Sequence, residues 1–165
     1  MPYDESVKEA LSKKGAYGKD IDIDDYEEGS RDSGTVTDLE SSEYRKYMEH
    51  VGVVADEMNR SGTLMFLNNT ASHCSPKVQE GLELLSLSKA LKVHEGLKDF
   101  MWNAMDPAKD KFTAKTYLED ADGFFIRVKS GYHIKNPVQS CMLLSQNKTV
   151  QNIHNILIVE DGASL

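Results

Sequence analysis

The residues of this chain best suited to chemistry are a neighbouring imidazole and thiol, His73 and Cys74. Together they could ligate a metal or act as an activated nucleophile. A structural zinc takes four ligands, however, and adjacent residues of an extended segment point to opposite sides. The pair supplies at most half a site, and a small apolar cysteine in a core or loop is the favoured reading of Cys74. Cys141 sits within Val138-Gln139-Ser140-Cys141-Met142-Leu143-Leu144, an apolar setting in which a thiol is inert. His154 lies within Gln151-Asn152-Ile153-His154-Asn155, where amides and an imidazole could hydrogen-bond a ligand or tie down neighbouring coils of a solenoid through side-chain ladders; the second use is favoured. Glu119, Asp120 and Asp122 offer either paired carboxylates for acid–base work or a turn ahead of a strand, and the turn is favoured. Asp20-Ile21-Asp22-Ile23-Asp24-Asp25 alternates carboxylates as a calcium loop does. The mid-loop glycine and distant bidentate glutamate of such a loop are not at the required places, so the stretch reads as acidic linker. No P-loop, dinucleotide-binding glycine motif, zinc-protease motif or serine-hydrolase motif occurs. No catalytic, cofactor-binding or metal-ligating residue is assigned, and the chain is expected not to be an enzyme.

Charge narrows the partners. Of a net charge of −8, −7 falls in residues 1–50, which hold seven Lys/Arg against fourteen Asp/Glu. Such an arm repels phosphate backbones and anionic lipid, so neither nucleic acid nor a membrane is an expected partner. Two cysteines outside any paired spacing suit a reducing compartment. No apolar run approaches the roughly 18–20 residues that span a bilayer, and Met1-Pro2-Tyr3-Asp4-Glu5 lacks the order of a signal peptide. A cytoplasmic location is expected. At 165 residues with 39% apolar content, the chain can bury a core without disulfides or metals.

The elements that must position these residues follow from periodicity. Asp4 to Lys14 reads as a short helix ended by Gly15, and Gly18 to Gly34 as acidic linker. Thr37-Asp38-Leu39-Glu40 has the form of a capping box. Behind it Tyr44, Met48, Val51, Ala55 and Met58 form one apolar stripe, read as core rather than as a docking face. Thr63 to Leu67 is a buried strand, 68–76 a loop, and Val78 to Leu87 contains a second strand. Ser88 caps a helix running to Met105, which Gly96 weakens by about 1 kcal/mol relative to alanine. A last helix covers about Ala108 to Leu118. From Gly123 the period becomes two, with strands over 124–128, 138–144 and 153–159. The organisation read is a flexible acidic arm (1–36), an α+β region (37–122) and the opening of a β core (123–165).

That β core contains a repeat. Phe125-Ile126-Arg127-Val128-Lys129-Ser130-Gly131-Tyr132-His133-Ile134 aligns without a gap, at an offset of 31, on Ile156-Leu157-Ile158-Val159-Glu160-Asp161-Gly162-Ala163-Ser164-Leu165. Two alternating apolar residues, a glycine three places on and a further apolar residue make a strand, a corner and a new wall. Repetition at a fixed offset is the mark of a solenoid, although a sandwich or meander yields the same pattern.

Several segments then carry a resemblance. Asp122-Gly123-Phe124-Phe125-Ile126-Arg127-Val128-Lys129-Ser130-Gly131, Asn136-Pro137-Val138-Gln139 and Gln151-Asn152-Ile153-His154-Asn155-Ile156-Leu157-Ile158-Val159-Glu160-Asp161-Gly162-Ala163 stand in this order. They resemble the D-G-x-F-I-x-V-x-x-G, P-(I/V)-Q and Q-N-(V/I)-H-N segments of the SufB/SufD family. Asp110-Lys111-Phe112-Thr113-Ala114, Ser61-Gly62-Thr63, Cys74-Ser75 and Leu97-Lys98-Asp99-Phe100 with Trp102 resemble its archaeal-type branch. The resemblance covers roughly 60–165 and departs from the family at Ser130 and at Asn69-Thr70-Ala71-Ser72-His73. It implies a helical N-terminal region followed by the first coils of a right-handed parallel β-helix. It also implies a scaffold of iron–sulfur cluster assembly whose partners are a SufC-type ATPase and a SufB/SufD subunit. The family's cluster-building residues and ATPase-binding helices fall after the position of Leu165, so none is carried over. The chain is expected to be an N-terminal part without a cofactor of its own. The contrasting expectation is a free-standing β-solenoid that binds small molecules or resembles acyltransferases.

Overall fold

A computed structural model describes residues 4–28, 49–50, 59–76, 79–144 and 146–165, with side chains described for all of these except residues 4 and 72–76. The helix expected over 37–58, with its capping box and apolar stripe, lies outside the described residues except at Glu49 and His50, which are helical. Three helices are described: α1 (Asp4–Ala10), α2 (Leu87–Val93) and α3 (Lys111–Leu118). The strands are β1 (Glu27–Glu28), β2 (Gly62–Leu67), β3 (Thr70–Pro76), β4 (Leu82–Ser86), β5 (Phe124–Val128), β6 (Val138–Leu143), β7 (Thr149–Val150) and β8 (Ile156–Val159). They form two three-stranded sheets, in the orders β3-β2-β6 and β4-β5-β8, and the two-stranded pair β1-β7.

The repeat is real in the backbone. β5 pairs in parallel with β8 at the 31-residue offset, Ile126 opposite Leu157 and Val128 opposite Val159. The offset persists past the strands, where His133 bridges Ser164. Both repeat glycines turn their corners with positive φ, +77° at Gly131 and +68° at Gly162, a conformation that costs a side chain but not glycine. Arg127 donates to the Glu160 carboxylate across this pair at 2.5–2.6 Å. The Ser130 N–H and that guanidinium hold the Glu160 carboxyl below its ordinary 4.5.

The parallel β-helix, however, is not what these strands build, and the α+β solenoid expectation is corrected. Each three-stranded sheet is mixed. β2 pairs antiparallel with β3 and parallel with β6; β4 pairs antiparallel with β5, which pairs parallel with β8. The fold among the described residues is a small α+β arrangement of short mixed sheets, and the solenoid form of the contrasting expectation falls with it. The cause lies in a misread segment. Residues 70–76 are a strand, joined to β2 by a two-residue turn at Asn68-Asn69 in which Asn68 has φ +53°. Asparagine tolerates the left-handed region such hairpin turns need.

Two faces close on one core. Leu64 and Phe66 of β2 meet Leu82 and Leu84 of β4, Phe124 and Val128 of β5, and Ile134. Behind β5, Phe125 packs with Leu87, Ala90, Leu97 and Ile156. The long helix expected from Ser88 to Met105 is also corrected. α2 stops at Val93, and Gly96 (φ +83°) starts a separate 3-10 turn, Leu97–Phe100. A left-handed residue cannot continue an α-helix, so the glycine breaks the element rather than weakening it.

Residues 4–28 pack on the body. Val7 and Ala10 of α1 are fully buried against Ala108 and against Ala114 of α3. Asp20 pairs with Lys111 at 2.7 Å, and the Lys111 ammonium also donates to the Ile21 carbonyl. The calcium-like alternation is thus used otherwise: Asp20 meets a lysine, and Asp22 caps the 3-10 turn Ile23–Asp25.

Asp110 fastens this region. Its carboxylate accepts from the N–H groups of Phe112 and Thr113 at 3.0 Å and of Ala16 at 3.2 Å, while the Thr113 hydroxyl completes a capping box. Burial raises its pKa, but those donors more than offset it and hold the group below 3.8. A carboxyl depressed in the folded state contributes stability that is present above its unfolded pKa and lost as pH falls through the folded one. Asp110→Ala is expected to cost about 1–2 kcal/mol in urea denaturation at pH 7. Its difference from the parent should shrink below pH 4, and equal differences at pH 7 and pH 3 would contradict the ionised cap.

Candidate functional site

Where the 151–155 segment crosses the start of β5, its polar side chains are mostly spent on backbone. The Asn155 amide oxygen accepts from Phe124 N–H at 2.8 Å. Asn152 N–H donates to Asn69 Oδ1 at 2.8 Å, and Gln151 donates to the Asn68 carbonyl. Asn69 in turn donates to the Val150 carbonyl at 3.1 Å. These bonds tie the 151–155 segment to the hairpin and to β5, in place of the ladders between solenoid coils expected for this cluster.

His154 differs from its neighbours. Its backbone N–H donates to the Asp122 carbonyl at 3.0 Å, but its half-buried ring lies against Trp102, centroid to centroid 4.3 Å. Trp102 in turn meets Tyr117 of α3 edge-on at 5.4 Å. Trp102 has φ +62°, a conformation costing a bulky residue about 1–3 kcal/mol and found where surroundings over-determine it. The Trp102 and His154 rings border a cavity of about 540 Å³, with Phe112 of α3 and Ile153, Leu157 and Ile158 among its walls. Burial lowers the His154 pKa from its ordinary 6.5, so the ring is neutral at pH 7.

The remaining candidates do not converge on this place. Cys141 of β6 is half-buried opposite Met65, and burial pushes its thiol pKa up, which removes the thiolate needed for attack or ligation. On β3 the backbone sets His73 opposite Met65 and Cys74 opposite Leu64; their side chains, on which a metal reading turns, lie outside the described residues. Asp122 accepts from Ser88 N–H at 2.8 Å, Ser88 hydroxyl at 3.0 Å and its neighbour Gly123 N–H at 2.8 Å, linking α2 to the start of β5 as a turn residue. Glu119 pairs with Lys115 at 3.3 Å, and Asp120 takes φ +49° in the same turn. Among the described residues no three His, Cys, Asp or Glu side chains group as metal ligands would, and no helix is long and apolar enough to cross a membrane. Trp102 was visible in the sequence only as part of the resemblance; its being the chain's single tryptophan was the available signal.

No protein-family profile matches the chain. Curated proteins do. An "iron-sulfur cluster assembly SufBD family protein" of Methanothermobacter thermautotrophicus strain Delta H is 32% identical over 166 residues, covering 96% of this chain and 40% of the relative. The chain belongs to the SufB/SufD family. The counterpart in strain Winter is 31% identical over the same shares, and one of the same description from Archaeoglobus fulgidus is 31% identical over 121 residues, 73% of this chain and 32% of that protein. Membership is of the archaeal type. SufB/SufD similarity extends further than the 60–165 stretch read from motifs, through most of the acidic arm as well. The chain spans about 40% of the length of the Methanothermobacter relatives.

The stack gives a direct solution test. Protonated imidazole quenches indole emission on contact, and Trp102 is the single tryptophan. Emission is expected to drop on acidification with a midpoint below 6.5, because burial disfavours the charged ring. Since the unfolded chain takes up that proton more readily, the His154 contribution to stability is full above 6.5 and lost as pH falls below it. A titration unchanged in His154→Leu would show that another group is the quencher.

Proposed function

We propose that this chain is a non-enzymatic scaffold component of cytoplasmic iron–sulfur cluster assembly, of the SufBCD type, working with a SufC-type ATPase and a SufB/SufD partner. The supporting observation is the identity of 32% carried through 96% of the chain to a protein named for that process. The cluster is cargo in this reading, not a resident cofactor. We place the cluster-building chemistry in the part of the relatives this chain does not match. The scattering of His154 and Cys141 over a cavity wall and a half-buried strand supports that placement.

Depleting the chain in its own cell should lower the activity of iron–sulfur enzymes several-fold and leave zinc enzymes untouched; unchanged iron–sulfur enzymes would sink the proposal. Purified alone, it is expected neither to bind a SufC-type ATPase tightly nor to hold a coloured cluster after anaerobic reconstitution with iron and sulfide. A stable chromophore would make Cys74 or Cys141 a ligand.

A further inference from the structure

The cavity beside Trp102 is set apart from the rest of the surface by its chemistry. Its volume of about 540 Å³ falls in the range of small-molecule sites, which are mostly apolar with a few placed polar groups. Phe112 and Ile153 supply apolar wall, and the 3-10 turn ending at Phe100 and the residues after it supply the rim.

Polar atoms along this wall are largely committed. Thr116 donates its hydroxyl to the Phe112 carbonyl at 2.9 Å, and Thr113 donates its own to the Asp110 carbonyl at 2.9 Å. Asn103 donates to the Asp99 carbonyl, and the Asn155 oxygen accepts from Phe124. The His154 ring is the exception: no described residue hydrogen-bonds either of its nitrogens, although it is half-buried and lines the cavity. A neutral imidazole offers a ligand one donor and one acceptor. No charged side chain lines the space.

We propose that this cavity binds an uncharged, flat aromatic molecule bearing one hydroxyl or carbonyl group, which hydrogen-bonds the His154 ring while its apolar body fills the space between Trp102, Phe112 and Ile153. An anion finds no cation there, and a cation finds no carboxylate. A bulky aliphatic alcohol satisfies the hydrogen bond but not the aromatic walls, whose rings favour offset or edge-on aromatic neighbours.

Calorimetric titration of the whole chain at pH 7.5 tests this with 2-naphthol, 2-naphthoate and cyclohexanol as probes. Saturable one-to-one binding of 2-naphthol is expected, at least tenfold tighter than either of the others. His154→Leu should weaken it about tenfold by removing the hydrogen bond. Ala104→Trp, at an exposed position lining the cavity, should abolish it by filling the space while leaving the melting temperature in place. The proposal is overturned if 2-naphthol gives no saturable heat, if 2-naphthoate binds as tightly, or if Ala104→Trp leaves binding intact.

Discussion

Gly123→Ala is expected to be among the most damaging single-methyl additions the chain can suffer, at about 3 kcal/mol or more. A Cβ at this position would stand 1.7 Å from the His154 carbonyl oxygen, 2.5 Å from its carbonyl carbon and 2.9 Å from Asn155 Oδ1. The nearest obstacle is main chain, which cannot swing aside as a side-chain tip would. The 151–155 segment must lift off the start of β5 by more than 1 Å. Lifting it strains the bonds from His154 N–H to the Asp122 carbonyl and from Phe124 N–H to Asn155. Overpacking alone costs about 1–3 kcal/mol, and each bond loosened adds about 1. Against a total stability of roughly 5–15 kcal/mol for a domain this is a large share. Gly131→Ala is the control. Its φ of +77° strains a side chain, but nothing lies within 4 Å of the added atom, so about 1–2 kcal/mol is expected. Urea denaturation of the two variants decides the matter, and equal losses would mean that conformation rather than contact governs Gly123.

The same glycine shows what could be read ahead of the structure. Asp122-Gly123 was legible as a turn before a strand, because composition and the switch to period two mark it. That His154 lies directly over Gly123 was not legible, since it follows from a pairing between segments 31 residues apart. The repeat came close to revealing this. Matching Ile126 with Leu157 predicts the parallel register that β5 and β8 adopt. It says nothing of their other neighbours, and there the solenoid expectation failed. β4 lies antiparallel along the far edge of β5, Leu84 opposite Ile126. Apolar strands such as Gly62–Leu67 announce themselves; the polar Thr70–Pro76 does not, because its pairing with β2 rests on backbone hydrogen bonds and on the Asn68-Asn69 turn. The Trp102–His154 contact joins residues 52 apart through an unusual backbone conformation, and no local pattern encodes it.

Phe66→Ala should cost about 3–5 kcal/mol and bring down both three-stranded sheets in one transition. Phe66 is 1% exposed on β2, and its ring meets Phe124 of β5 edge-on, centroids 4.7 Å apart and planes at 80°. The pair therefore spans the β3-β2-β6 and β4-β5-β8 sheets. Neither sheet is large enough to be stable on one face alone, and each needs the other's apolar side chains to cover its own. Leu64 on one side and Leu82, Leu84 and Val128 on the other complete the cover, so the void left by Phe66 opens at the seam. Phe124→Ala removes the other half of the contact, and the double variant is expected to lose about 1 kcal/mol less than the sum of the single losses, the worth of the edge-on pair. Leu157→Ala, at a residue 57% exposed, should stay within about 0.5 kcal/mol of the parent. Sheets that melted separately in Phe66→Ala, one transition seen by Trp102 emission and another by far-ultraviolet dichroism, would contradict the single transition and make the Phe66–Phe124 contact alone the coupling between them. A single shared transition at lowered stability would place the coupling in the whole seam, where Leu64 still meets Leu82, Leu84, Phe124 and Val128 across the two sheets.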